Sequence, residues 1–263
     1  MQTVKQITFR TGPSRTFSFC GPWLTSLFFI AAGMGFFPQN LAAAPAYVQS
    51  NSAVPQSTPP GTPLTVTVPF SSAQKAGDLN VVIVGWADST NVVSAVTDSL
   101  HNAYQLAIGP TILSGSLSQS IYYAKNIVAG SNTVSVTFGA SVAYPDIRIL
   151  EYSGLDPSNP LDVAKGGSSS SGTSSSSGAF TTKNASDVLV AGNYVLTSTT
   201  GAGSGFTKRL ITSPDGDIAE DRSVTTAGSY TATASISSGG WVMQVAAFSA
   251  AGAQPTPTPA PTP

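Results

Sequence analysis

Two stretches of this chain carry the same design. Asp146-Ile-Arg-Ile-Leu-Glu-Tyr-Ser153 and Trp241-Val-Met-Gln-Val-Ala-Ala-Phe-Ser249 each follow a turn and an alternating segment, and each ends in an aromatic, a serine and a small residue. Other segments echo one another in the same order. Asp187-Val-Leu-Val-Ala-Gly-Asn-Tyr194 answers Asp78 to Trp86, and Ala227 to Ile236 answers Ala129 to Phe138. From Gly130 to Gly228 the offset is 98, so Val134, Val136 and Phe138 fall on Ala232, Ala234 and Ile236 with the parity of the pleat preserved. Matched elements in one order indicate internal duplication.

The repeated unit is built of strands. Leu64 to Phe70 alternates, with Leu64, Val66, Val68 and Phe70 on one face and Thr65 and Thr67 on the other. Strict alternation marks a half-buried strand. Leu79 to Trp86 is apolar on both faces and reads as a central strand covered on both sides. Further strands are expected over Tyr47–Gln49, Val92–Thr97, Tyr104–Ile108, Ser120–Lys125, Thr133–Phe138 and Ile147–Tyr152, separated by turn residues such as Gly130-Ser-Asn. No helical period is evident after residue 45. Charged residues make up 9% of the chain, while Gly, Ser, Thr, Val and Ala dominate, as suits a turn-rich β protein. The expectation is an all-β fold: a β-sandwich of jelly-roll type over residues 45–250, built from two similar halves, 45–160 and 161–250. Lys165 to Gly178 is nearly all Ser and Gly; its composition is that of a linker, but its place in the repeat is that of a surface loop or polar edge strand.

The two ends have a different character. Lys5, Arg10 and Arg15 precede the apolar run Leu24–Phe37, and small residues follow at Asn40-Leu-Ala-Ala-Ala44. That order is the pattern of a secretory signal over residues 1–44, and the run is short for a membrane span. The expectation is an exported, secreted or cell-surface protein with no membrane span once the signal is cleaved. Cys20, the only cysteine, precedes the apolar run, so the remainder has no disulfide and depends on its core. Residues 251–263 form a Pro/Thr-rich tail that favours extended polyproline II.

Chemistry is sparse. After residue 45 there are eight bases against twelve acids, a formal charge of about −4. Without clustered Lys and Arg a nucleic-acid partner is not expected. His101 is the only histidine and no Gly-x-Ser-x-Gly elbow accompanies it, so no nucleophile is marked and zinc has no ligand set. The reading is therefore non-enzymatic. The competing readings are a glycan-binding or adhesive module, a structural spacer without ligand and, least supported, a glycoside hydrolase drawing on Glu151, Asp156, Glu220 or Asp221.

Aromatic residues able to stack on a sugar, if they line one exposed face, are Trp86, Tyr104, Tyr122, Tyr123, Tyr144, Tyr194 and Trp241, of which Tyr104, Tyr122 and Tyr144 are the candidate ligand residues. Trp86 and Trp241, at the ends of apolar strands, read as core. Tyr122 and Tyr123 are adjacent on a strand and should point to opposite faces, one of them outward. Glu151 shares parity with Ile147 and Ile149, so it points inward and needs Arg148, Lys125 or a metal as partner. Asp215-Gly-Asp217 with Glu220 and Asp221 places four carboxylates in seven residues. Two remedies for their repulsion are open: pairing with Arg209 or Arg222, or a structural calcium. A strand from Ile218 would separate Asp221 from Glu220, which favours arginine pairing. If a cation binds, Asp215 and Asp217 are its ligands.

Five motifs together, Gly77-Asp-Leu-Asn-Val-Val, Val96-Thr-Asp-Ser with Asn102-Ala-Tyr, Ile149-Leu-Glu-Tyr-Ser-Gly154, Gly203-Ser-Gly-Phe-Thr and Trp241-Val-Met-Gln, resemble an uncharacterised family of bacterial secreted β-sandwich modules. The resemblance spans about residues 45–250. It implies a β-sandwich appended to larger extracellular proteins beside carbohydrate-associated domains, and it carries no catalytic residues with it. Where the family pattern has glycine in the hairpin after Asp98-Ser, this chain has His101.

Overall fold

The alternating segments form antiparallel sheets, and the order in which they pair defines the fold. The structure is a computed structural model that describes residues 44–59 and 64–252. The expected signal segment and the Pro/Thr tail lie outside the described residues, apart from Ala44 and Ala251–Gly252. The described residues contain no helix, and hence none long and apolar enough to cross a membrane.

The first half supplies β1 (Ala46–Ala53), β2 (Thr65–Pro69), β3 (Leu79–Trp86), β4 (Val93–Asp98), β5 (Tyr104–Leu113), β6 (Leu117–Ala124), β7 (Thr133–Phe138) and β8 (Asp146–Ser153). They pair as a five-stranded sheet, β1-β8-β3-β6-β5, and a three-stranded sheet, β2-β7-β4. First strand with eighth, second with seventh and third with sixth is the wrapping order of a jelly roll. The departure is β5, which pairs with β6 rather than β4 and so joins the larger sheet.

The second half repeats this order. It supplies β9 (Leu161–Ser169), β10 (Ser174–Ser176), β11 (Phe180–Thr181), β12 (Asp187–Val195), β13 (Thr199–Ala202), β14 (Thr207–Ile211), β15 (Ile218–Val224), β16 (Ser229–Tyr230), β17 (Thr233–Ile236) and β18 (Trp241–Ser249). Its sheets are β9-β18-β12-β15-β14 and β10-β17-β13, with β11-β16 as a short extra pair. The all-β sandwich class and the two similar halves are thus present, but each half is itself a two-layered sandwich, so residues 45–250 form two stacked sandwiches rather than the single one expected.

The five-stranded sheets of the two halves stack face to face. Leu79, Val81, Ile83, Ile121, Leu150 and Tyr152 from one half share a buried core with Val188, Val190, Ala219, Ala246 and Phe248 from the other. Separate cores lie within each half: Val66, Val68, Trp86, Val136 and Phe138 in the first, and Leu189, Ala234, Trp241, Met243 and Val245 in the second. Both five-stranded sheets are therefore covered on both faces, which is why β3, β12 and β18 are buried along their whole length. The same arrangement corrects the expectation for the adjacent tyrosines. Tyr123 is buried against Phe248 of the second half and Tyr122 is half-buried beneath the smaller sheet, so neither points to open solvent.

Several local expectations resolve. The Ser/Gly stretch is not a free linker: it forms β9 and β10, edge strands of two different sheets, with Ser175 and Ser177 buried. Val134, Val136 and Phe138 and their echoes Ala232, Ala234 and Ile236 are all core. Leu64 is exposed, because β2 begins one residue later. His101 has φ of +59°, the left-handed conformation for which glycine is the usual residue. Asp98 secures that hairpin by accepting hydrogen bonds from the amides of Leu100 and Asn102 and from the Tyr104 hydroxyl.

Candidate functional site

Where the stacked sheets end, strand termini from both halves leave a cleft of about 330 Å³. Gln56 follows β1, Ala87 follows β3, Tyr144 precedes β8, Leu196 follows β12, and Asp215 and Asp217 belong to the β14–β15 turn. Tyr144 is 43% and Leu196 56% exposed, giving the mouth an apolar rim. Tyr144 is the only exposed aromatic among the described residues. Its backbone is held at φ of +46°, and its carbonyl accepts a hydrogen bond of 2.7 Å from the Tyr194 hydroxyl.

The floor is charged and dry. Asp146 and Arg148 alternate with Ile147, so both face the second half, in line with Leu150 and Tyr152. Both are fully buried, and Arg148 Nε lies 2.7 Å from Asp146 Oδ1 in a contact that is ionic rather than an aligned hydrogen bond. The guanidinium crosses the junction. Its Nη1 donates to the carbonyls of Asn193 at 2.7 Å and Ile218 at 2.5 Å, and its Nη2 to Gln119 Oε1 at 3.2 Å. The β12–β15 ladder ends at Gly192 and Ala219, so Arg148 supplies donors just beyond it. Gln119 and Gln244 extend the polar band, each donating to a carbonyl of the opposite half at 2.8 Å. Asp217 accepts from the Val195 amide at 2.8 Å, and Asp215 from Gln56 Nε2 at 2.6 Å. Burial, then the nearby Asp146 charge, pushes the Asp217 carboxyl well above the ordinary range. Asp215 is raised for the same first reason.

The expected ligand residues therefore divide. Asp215 and Asp217 come together as anticipated, and Tyr144 shares their cleft. Tyr104 and Tyr122 line a different pocket of about 260 Å³ between β4 and the larger sheet, with Val93 and Val96. Both are half-buried, and the Tyr104 hydroxyl is engaged by Asp98 and Asn80, so the three tyrosines do not form one stacking face. Of the expected arginine partners, Arg209 pairs with Asp221 at 2.7 Å, whereas Arg222 lies over the Tyr230 ring. Glu220 faces the smaller sheet and accepts from the Gly203 amide.

Glu151 is buried as expected, but its partners are different. They are Gln49 Nε2, the Lys75 amide and Asp78, not Arg148 or Lys125. The carboxylates considered for glycoside hydrolysis do not converge. Glu151 and Glu220 lie in separate sandwich interiors, Asp221 accepts from Tyr152 within the junction, and Asp156 serves an exposed turn.

Sequence reading missed Asp146, Arg148 and Gln119 as parts of the junction. A signal was present: two opposite charges two residues apart on one strand share a face with Leu150 and Tyr152, and at the 96-residue offset Arg148 is echoed by Gln244.

Fold and junction together define a tandem jelly-roll β protein with a cleft between its halves. Searches of protein-family models, curated proteins and solved structures return no match to the chain.

Proposed function

We propose that the protein is a secreted or cell-surface, non-catalytic module that binds a polysaccharide or cell-surface glycan in the cleft between its halves. One observation carries this reading: the single exposed aromatic among the described residues, Tyr144, stands at the mouth of the cleft beside Asp215, Gln56 and Thr197. An aromatic face stacks on the apolar face of a sugar, while a carboxylate, an amide and a hydroxyl meet its hydroxyl groups; sites of this kind combine an apolar wall with a few placed polar atoms. Export rests on the basic, apolar and small-residue order of residues 1–44. The resemblance of the strand motifs to secreted β-sandwich modules supports the same setting.

The test is affinity gel electrophoresis of the chain lacking residues 1–44 against plant and microbial polysaccharides. Retardation by at least one of them is expected, with loss of most of it in Tyr144→Ala and little change in Tyr122→Phe. Free migration in every gel would favour the second reading, a structural spacer without ligand. That reading draws on the half-buried state of Tyr104 and Tyr122.

A further inference from the structure

Three carboxylates meet at the floor of the cleft, one from the first half and two from the second. Asp146, Asp215 and Asp217 each offer an oxygen, and these oxygens lie within 4.8 Å of one another. In each residue one oxygen is held by a fixed partner: Asp146 Oδ1 by Arg148 Nε, Asp215 by Gln56 Nε2 and Asp217 by the Val195 amide. The second oxygen of each is buried and has no hydrogen-bond partner, and the side chains of Asp146 and Asp217 are 0% exposed. Buried carboxylate oxygens without a donor are costly, and native interiors leave few of them.

Arg148 does not fill the need. Its Nη1 and Nη2 are committed to the carbonyls of Asn193 and Ile218 and to Gln119, and its Nε to Asp146. With all three carboxylates ionised, one guanidinium leaves a formal charge of about −2 in a region shielded from water. Without a cation the raised Asp217 carboxyl sheds part of it by keeping its proton beside Asp146, and a divalent ion that displaces that proton neutralises the whole. All the available ligand atoms are hard oxygens, which select Ca²⁺ or Mg²⁺ over softer metals. The oxygens lie close enough together to share one ion, and a buried set of protein oxygens suits Ca²⁺, which accepts irregular geometry, better than Mg²⁺, which keeps several of its waters.

We infer that Asp146, Asp215 and Asp217 bind a Ca²⁺ ion that ties the first half of the molecule to the β14–β15 turn of the second. Asp215 is the half-exposed member and lines the cleft, so the ion enters from there. The role is structural: the ion joins two sheets that otherwise meet through apolar packing and through hydrogen bonds such as those of Arg148, Gln119 and Gln244. It does not depend on a glycan, and the metal alone tests it.

The experiment uses the chain lacking residues 1–44, stripped with chelator and passed into metal-free buffer. Calorimetric titration with Ca²⁺ should show one site. Melting with Ca²⁺ at about a hundred times its dissociation constant should raise the midpoint by about 5 °C. Tb³⁺ should bind at the same place, with luminescence sensitised by Tyr194, whose ring stands near the three carboxylates. Ca²⁺ should displace it. Asp215→Asn, which leaves the Asp146–Arg148 pair untouched, should weaken Ca²⁺ at least about tenfold. No heat of binding together with an unchanged melting midpoint in Ca²⁺ would overturn the site. So would Asp215→Asn binding as tightly as the parent, since the ion would then sit elsewhere.

Discussion

Between the halves the fit is made residue by residue, from positions that the duplication made equivalent. Counting from Asp78 and Asp187, which open or immediately precede the central strands, the offset is 109, so Gly85 corresponds to Tyr194 and Ile83 to Gly192. In the folded molecule these residues face one another. A Cβ placed on Gly85 would stand 2.5 Å from Tyr194 Cδ2, and one on Gly192 would stand 2.9 Å from Ile83 Cδ1. Each half therefore supplies a missing side chain where the other supplies a large one. Gly85→Ala should destabilise the protein by about 2 kcal/mol through overpacking, because the Tyr194 ring is held by its hydrogen bond to the Tyr144 carbonyl. Urea unfolding measures it; a midpoint equal to that of the parent would mean that the ring moves aside freely. His101 shows the other limit of residue-level reading. The resemblance to a pattern with glycine there raises the matter of backbone hand, and the hairpin does take the left-handed conformation, with histidine accepting it.

Among the elements, the central strands β3 and β12 begin alike. Asp78, just before β3, lies against Glu151, and Asp187, the first residue of β12, lies against Asp162. Burial, and then the neighbouring acid, raises Asp78 from 3.8 to about 6 and Asp187 to about 7. Lys75 opposes the first shift and the Ser249 hydroxyl the second. The folded protein thus keeps protons that the unfolded chain has released. This contribution to stability is complete below the unfolded value of 3.8 and is lost as pH rises through about 6 to 7. Melting midpoints, measured in chelator so that cations play no part, should fall between about pH 5 and about pH 8. The double variant Asp78→Asn, Asp187→Asn should show a flatter profile. A midpoint that rises over that interval in the parent would contradict the shared-proton account. The edge strands β9 and β10 make a different point about composition. Ser and Gly allow β9 to run close to its neighbours: a Cβ on Gly167 would meet the Ser176 carbonyl oxygen at 2.6 Å. Low side-chain bulk here serves close packing at a sheet edge.

For the whole molecule, the decisive fact is that, among the described residues, the inner face of each five-stranded sheet is covered by the other half. Residues 45–160 expressed alone would expose Leu79, Val81, Ile83, Leu150 and Tyr152 together with the charged Arg148. Large exposed apolar faces drive association. The fragment should be aggregated or dimeric, as sedimentation would show. A soluble monomer that unfolds cooperatively would mean that each sandwich stands without its neighbour. A dimer is the more informative of the expected outcomes, since the stacking is pseudo-symmetric: β5 packs on β9 and β1 on β14, as a two-fold relation between equivalent strands requires.

The amino-acid sequence by itself determined the strands, their parity, the duplication and the sandwich class. Period-two alternation and turn residues are local, and a repeat is visible without knowing what it packs against. It also placed Asp215 and Asp217 in one turn. Tertiary structure alone decided that Asp146 joins them, that Tyr104 and Tyr122 are half-buried and apart from Tyr144, and that Glu151 turns to Gln49 and Asp78. Each of these depends on which sheet covers which face. Alternation says only that a residue has a side, not what stands opposite. In a four-layered protein both sides of the middle sheets are interiors, so outward and inward lose their usual meaning, and contacts between residues 60 or more positions apart settle the chemistry.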